Sequence, residues 1–76
     1  MDETLDLRGL KCPLPAMLAR KALARLPSGA ILTVLADDPM AVVDIPHMCH
    51  GEGHPCDSVA SRDGYSEFRL RVKTAD

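Results

Sequence analysis

Seventy-six residues, 46% of them hydrophobic, allow one domain and leave no room for a large enclosed cavity, so any chemistry belongs at the surface. A net charge of −2 with one Phe, one Tyr and no Trp argues against direct nucleic-acid binding, which draws on basic patches and aromatic stacking. The longest apolar run, Ala30 to Ala36, falls far short of the ~20 residues of a membrane-spanning helix. The acidic start Met1-Asp2-Glu3-Thr4 does not read as a signal peptide. Three cysteines without a Cys-x-x-Cys pair do not describe a disulfide framework, so a soluble cytoplasmic monomer with reduced thiols is expected.

In chain order, Thr4 to Arg8 alternates apolar and polar residues as a short strand, with Leu5 and Leu7 facing a core, and Gly9 ends it. From Pro13 to Leu26 the pattern is helical. Leu18, Ala19, Ala22, Leu23 and Leu26 form one apolar stripe, and Arg20, Lys21 and Arg25 lie opposite. Met17 and Ala24 project among those basic residues. Arg8 to Arg25 holds five bases and no acid, while Leu26 to Asp57 holds five acids and no base. Arg8, Met17, Arg20, Lys21 and Arg25 therefore make a candidate docking face for an acidic partner, with plain solvation as the alternative.

Pro27-Ser28-Gly29 breaks the helix, and Ala30 to Ala36 reads as a central strand. Asp38 at N-cap and Pro39 at the first helical position predict the start of a second helix. Val42, Ile45 and Cys49 should form its buried face, Pro46 should kink or divide it, and Gly51 and Gly53 end it. Cys56 to Arg62 and Tyr65 to Lys73 read as a hairpin joined by Asp63-Gly64 in a type I′ turn. Phe68, Leu70 and Val72 would face the core, and Arg69, Arg71 and Lys73 the other side. The order β-α-β-α-β-β implies an α+β fold: a two-layer α/β sandwich with a four-stranded mixed sheet and two helices on one face. Its ordered core is expected over about residues 4–73.

Gly9-Leu10-Lys11-Cys12-Pro13-Leu14-Pro15 carries the most chemistry. Cys12 falls at or just before the N-cap of the first helix, with Pro13 at the first helical position, where its missing N–H costs nothing. The positive end of the helix, Lys11 and Arg8 should lower the thiol pKa moderately, with the N–H groups of Leu14 and Ala16 facing the thiolate. Gly9, Lys11, Pro13, Leu14 and Pro15 would position the sulfur, the prolines by stiffening the loop. Proline occupies the place of a resolving cysteine, which disfavours dithiol redox chemistry and suits sulfur transfer through one thiol. The alternative is an inert cysteine beside a helix cap.

Leu5 to Pro15, followed by Ala36-Asp37-Asp38-Pro39 and Asp44-Ile45-Pro46, resembles the TusA/SirA/YedF family of small sulfur-transfer proteins, nearly end to end from Leu5 to Lys73. The Ala-Asp-Asp-Pro segment looks closest to the TusA branch. The resemblance implies a cytoplasmic sulfurtransferase of carrier type, in which Cys12 takes persulfide sulfur from a cysteine desulfurase or other donor. It passes that sulfur to a downstream acceptor protein, in TusA towards tRNA 2-thiouridine; other relatives serve sulfur oxidation or molybdenum-enzyme maturation. No cofactor is implied beyond the transient persulfide.

His47, Cys49, His50, His54 and Cys56 lie within ten residues. They form a weak alternative metal site whose spacing matches no standard zinc module, so no metal is expected. Cys49 continues a buried stripe, and the histidines surround a helix end. Asp38 reads as a cap and Asp37 as a turn residue or partner contact, neither as a catalytic acid.

Overall fold

The computed structural model describes residues 2–74. Its elements run β1 (Asp2–Asp6), α1 (Leu14–Arg25), β2 (Ile31–Ala36), α2 (Ala41–Glu52), β3 (Cys56–Arg62) and β4 (Tyr65–Arg71). The sheet order is β1-β2-β4-β3, with β1 parallel to β2 and the other two pairings antiparallel. Both helices pack on one face of this mixed sheet, the two-layer arrangement expected from the element order.

β2 is central, as its apolar run suggested, yet only Leu32, Val34 and Ala36 are buried. Ile31, Thr33 and Leu35 point to the uncovered face and stay half-buried, because helices cover one side only. Phe68, Leu70 and Val72 enter the core from β4, and Val72 continues the ladder past the strand through its N–H to the Ala30 carbonyl at 2.9 Å. The largest fully buried side chains are Phe68, Leu23, Leu32, Ile45 and Leu70. Each contributes about 1.5–3 kcal/mol of burial. β1 begins two residues earlier than its alternation implied, because Asp2 already pairs with Ile31 of β2.

The first helix starts at Leu14, with Pro13 at the N-cap position and Pro15 in the first turn, one residue later than expected. Pro15 is buried with Ala19, Ala22 and Leu23, whereas Leu18 and Leu26 are half-buried against the core. The helix ends at Leu26, which is extended because Pro27 follows it.

Four expectations are corrected. α2 begins at Ala41, not at Pro39, and makes no side-chain cap bond. The Asp38 carboxylate is drawn to the Cys12 and Met40 N–H groups, so Asp38-Pro39-Met40 forms a turn that leads into the helix. The buried face of α2 is Ala41, Ile45 and Cys49, with Met48 beside it; Val42 is 47% exposed. Ile45 and Cys49 are as expected, and Ala41 takes the place of Val42 because the buried row runs at i, i+4 and i+8, which turns Val42 about 100° away. Pro46 sits inside one uninterrupted helix and does not divide it. The hairpin turn has positive φ at Gly64 alone (+83°), so it is not type I′. Asp63 carries a Cβ and stays out of the left-handed region that glycine tolerates.

No helix among the described residues is long and apolar enough to cross a membrane.

Candidate functional site

β1 and β2 are parallel neighbours, with Asp6 opposite Leu35, so the loops that follow them emerge side by side at one sheet end. This is the end at which open α/β sheets place their sites. The loop after β1 is pinned at three points to the end of β2 and the loop that follows it. The Leu7 N–H donates to the Leu35 carbonyl at 2.8 Å, and the Gly9 N–H to Asp37 Oδ1 at 3.0 Å. The Cys12 N–H donates to Asp38 Oδ2. Gly9 turns the chain at φ +90°, a conformation that favours glycine. The adjacent carboxylates, read from sequence as turn and cap, thus hold the cysteine loop.

Cys12 is exposed at the tip of this loop, next to the N-terminus of α1. The Cys12–Pro13 peptide is cis. Its Sγ donates a hydrogen bond to Asp44 Oδ2 at 2.8 Å, from the first turn of α2. That contact overturns the expected thiolate. The bond to Asp44 pushes the thiol pKa above its ordinary value, desolvation adds to it, and the charges of Asp44 and Asp38 act in the same direction. A neighbouring negative charge favours the neutral thiol.

The cations expected to oppose this are placed elsewhere. Arg8 binds Asp6 through Nε at 2.9 Å and a terminal nitrogen at 2.8 Å, and its guanidinium lies 4.9 Å from the centre of the Tyr65 ring. This pair holds the Asp6 carboxyl down at about 2, chiefly through the side-chain bond to Arg8. The Leu14 N–H, expected to face the sulfur, donates to the Lys11 carbonyl at 2.8 Å. Lys11 itself is exposed. Asp44 stands 32 residues after Cys12, and no spacing rule joins them. The signal present was the Asp44-Ile45-Pro46 run that contributed to the family resemblance.

Of the candidate docking residues, Met17 (52% exposed), Arg20 and Lys21 line an open groove of about 430 Å³ together with Leu18, Ala24 and Glu52 of α2. Arg25 turns the other way and pairs with both carboxylate oxygens of Glu3 on β1. The basic face therefore contracts to Arg20 and Lys21 around Met17, because Arg8 and Arg25 are engaged by acids of β1. Gly9, Lys11, Pro13 and Leu14 are at or near the surface around the thiol, whereas Pro15 is buried and anchors the helix start.

The histidines and remaining cysteines diverge. Cys49 is buried at 1% exposure, and burial, with the nearby Cys56, pushes its thiol up to about 12. Burial and Asp57 also raise the half-buried Cys56 thiol. His54 Nδ1 accepts the Lys73 N–H at 3.0 Å, and burial, then the Lys73 charge, lower its pKa. His47 and His50 are exposed on α2. Among the described residues no three His, Cys, Asp or Glu side chains converge on a point that could hold a metal ion.

A family model described as sulfurtransferase TusA matches residues 3–73. A protein of Neisseria meningitidis serogroup A, described as a candidate sulfur carrier, is 48% identical over 62 residues, 82% of this chain and 84% of that one. Its counterpart in serogroup B matches to the same extent. The crystal structure of a SirA-like protein from Desulfitobacterium hafniense superposes with a TM-score of 0.84 at 31% identity, covering 95% of this chain and 99% of that one.

Proposed function

Since the chain belongs to the TusA sulfurtransferase family, we propose that it carries sulfane sulfur as a persulfide on Cys12. The observation that carries this reading is the exposure of Cys12 at a pinned loop tip, while Cys49 is buried and Cys56 half-buried. The best-formed grooves among the described residues are open to solvent, and the pocket in which sulfur is exchanged then belongs to the partner. A cysteine desulfurase or another persulfide donor presents its terminal sulfur, and Cys12 Sγ attacks it. A new S–S bond forms on Cys12, the donor's S–S bond breaks, and the electron pair leaves with the donor thiol. In the second step an acceptor's thiolate attacks the terminal sulfur on Cys12, which leaves in turn.

On this reading the protein works as a cytoplasmic monomer and needs no cofactor. Its acceptor is a further relay protein, with thiolation of a tRNA uridine as one destination, reached without direct contact with nucleic acid. Incubation with a cysteine desulfurase and cysteine should add one sulfur to the intact mass, removable by reductant and absent from Cys12→Ser. An adduct that survives in Cys12→Ser would overturn the assignment.

A further inference from the structure

The Asp44 carboxylate does more than neighbour the reactive thiol. Its Oδ2 accepts the Cys12 Sγ–H bond at 2.8 Å, within the reach required of a general base. It is delivered by a different element, the first turn of α2, and so does not depend on the thiol's own loop. Its neighbours are consistent with a proton acceptor. Asp38, in the loop before α2, is held by the Cys12 and Met40 N–H groups. Asp37 is held by the Gly9 N–H, and Arg8 is engaged by Asp6. Lys11 on the loop and His47, one turn along α2, are exposed. Among the described residues Asp44 is thus the one carboxylate hydrogen-bonded to the sulfur.

Resting on the reading of Cys12 as the sulfur carrier, we propose that Asp44 is the proton acceptor of the loading step and the guard of the resting thiol. At rest the proton stays on sulfur, because a carboxylate is several units less basic than a thiolate. Cys12 is then a neutral thiol, poorly reactive towards oxidants and alkylating agents that arrive without a docked partner. During loading, Sγ forms its bond to the donor's terminal sulfur, and the S–H proton becomes strongly acidic. It passes to Asp44 Oδ2 while the donor's S–S bond breaks and its thiolate departs. In delivery the electron pair returns to Cys12 Sγ as the acceptor takes the terminal sulfur, and the Asp44 proton is handed back. No other oxidant or reductant is required.

The two roles predict opposite effects of one isosteric change. In Asp44→Asn, the pH midpoint for alkylation of Cys12 by iodoacetamide should fall, so that alkylation at neutral pH becomes faster. Loading by a cysteine desulfurase should become slower, by about 10²-fold as for loss of a general base. Asp44→Glu should retain a substantial part of the loading rate. A thiol merely disturbed in position would change both rates in one direction.

The unmodified protein supplies a test that needs no variant: its Cys12 midpoint should lie above that of an ordinary thiol. A midpoint at or below the ordinary value would overturn the proposal, as would equal loading rates in wild type and a folded Asp44→Asn. Failure of the wild-type protein to load at all would instead sink the carrier reading, and the alkylation profiles would still report on the Asp44 contact.

Discussion

Three cysteines occupy three environments, and only burial and neighbouring charge separate them. Cys12 stands in water against a carboxylate, Cys56 is half-buried on β3, and Cys49 is enclosed by Ile45, Phe68 and the rest of the core cluster. Native-state alkylation should therefore leave Cys49 unmodified until the protein unfolds. Its titration also contributes to stability with a definite sign. The folded thiol is pushed up to about 12, against about 8.5 in an unfolded chain. Between these values the unfolded state binds fewer protons than the folded one, so stability is present below about pH 8.5 and declines towards pH 12. Thermal melts across that window should fall more steeply in wild type than in Cys49→Ala. Equal slopes would show that Cys49 is not held neutral by the fold.

Among the elements, the hairpin and α1 were the most legible. Cys56 to Arg62 is a strand with the expected bounds, and α1 follows its apolar stripe, because in both the local pattern coincides with one partner surface. The start of α2 was misread for a definite reason. Asp38-Pro39 satisfies every local rule for a cap, but the Asp38 carboxylate is drawn to the Cys12 N–H, 26 residues away. Of the two glycines expected to end α2, Gly51 lies inside the helix and Gly53 is the stop: it adopts φ +83° and its N–H reaches back to the Cys49 and His50 carbonyls. Lys73 Nζ adds a bond to the Glu52 carbonyl at 3.0 Å. A Cβ at Gly53 would make only ordinary contact with the Lys73 side chain. The cost of Gly53→Ala is therefore mainly backbone strain, about 1 kcal/mol or roughly 4–8 °C in Tm. Loading of Cys12 at the opposite end of α2 should be unchanged.

Across the whole molecule, charge is arranged by the sheet as much as by the sequence. The run of five bases from Arg8 to Arg25 suggested one basic face. Folding lays its two ends against Asp6 and Glu3 of β1, leaving Lys11 on the cysteine loop and, on α1, the neighbours Arg20 and Lys21 without an ion pair among the described residues. Arg20 and Lys21 flank the groove that begins at Met17, one helical turn from the cysteine loop. Charge reversal there should act on encounter with the partner, not on folding. Arg20→Glu/Lys21→Glu should raise the KM for loading by about tenfold or more with kcat nearly unchanged. Its stability should stay within about 0.5 kcal/mol of wild type. A loading KM equal to wild type would place the docking face elsewhere on the molecule.

The amino-acid sequence by itself determined the element order, the one-sided burial of the sheet and the exposed position of Cys12 beside the first helix. These follow from apolar periodicity, turn residues and one thiol set among glycine and prolines, all of which act within a few positions along the chain. Tertiary structure decided the electrostatics of that thiol. The parallel pairing of β1 and β2 brings two loops together, so Asp37 holds the cysteine loop at Gly9, and Asp38 and, from α2, Asp44 meet a cysteine that local chemistry had surrounded with cations. Charge acts through space at a few ångströms and takes no account of chain distance. The hydrogen bond of the sulfur to Asp44, which raises the thiol pKa, is therefore a property of the fold.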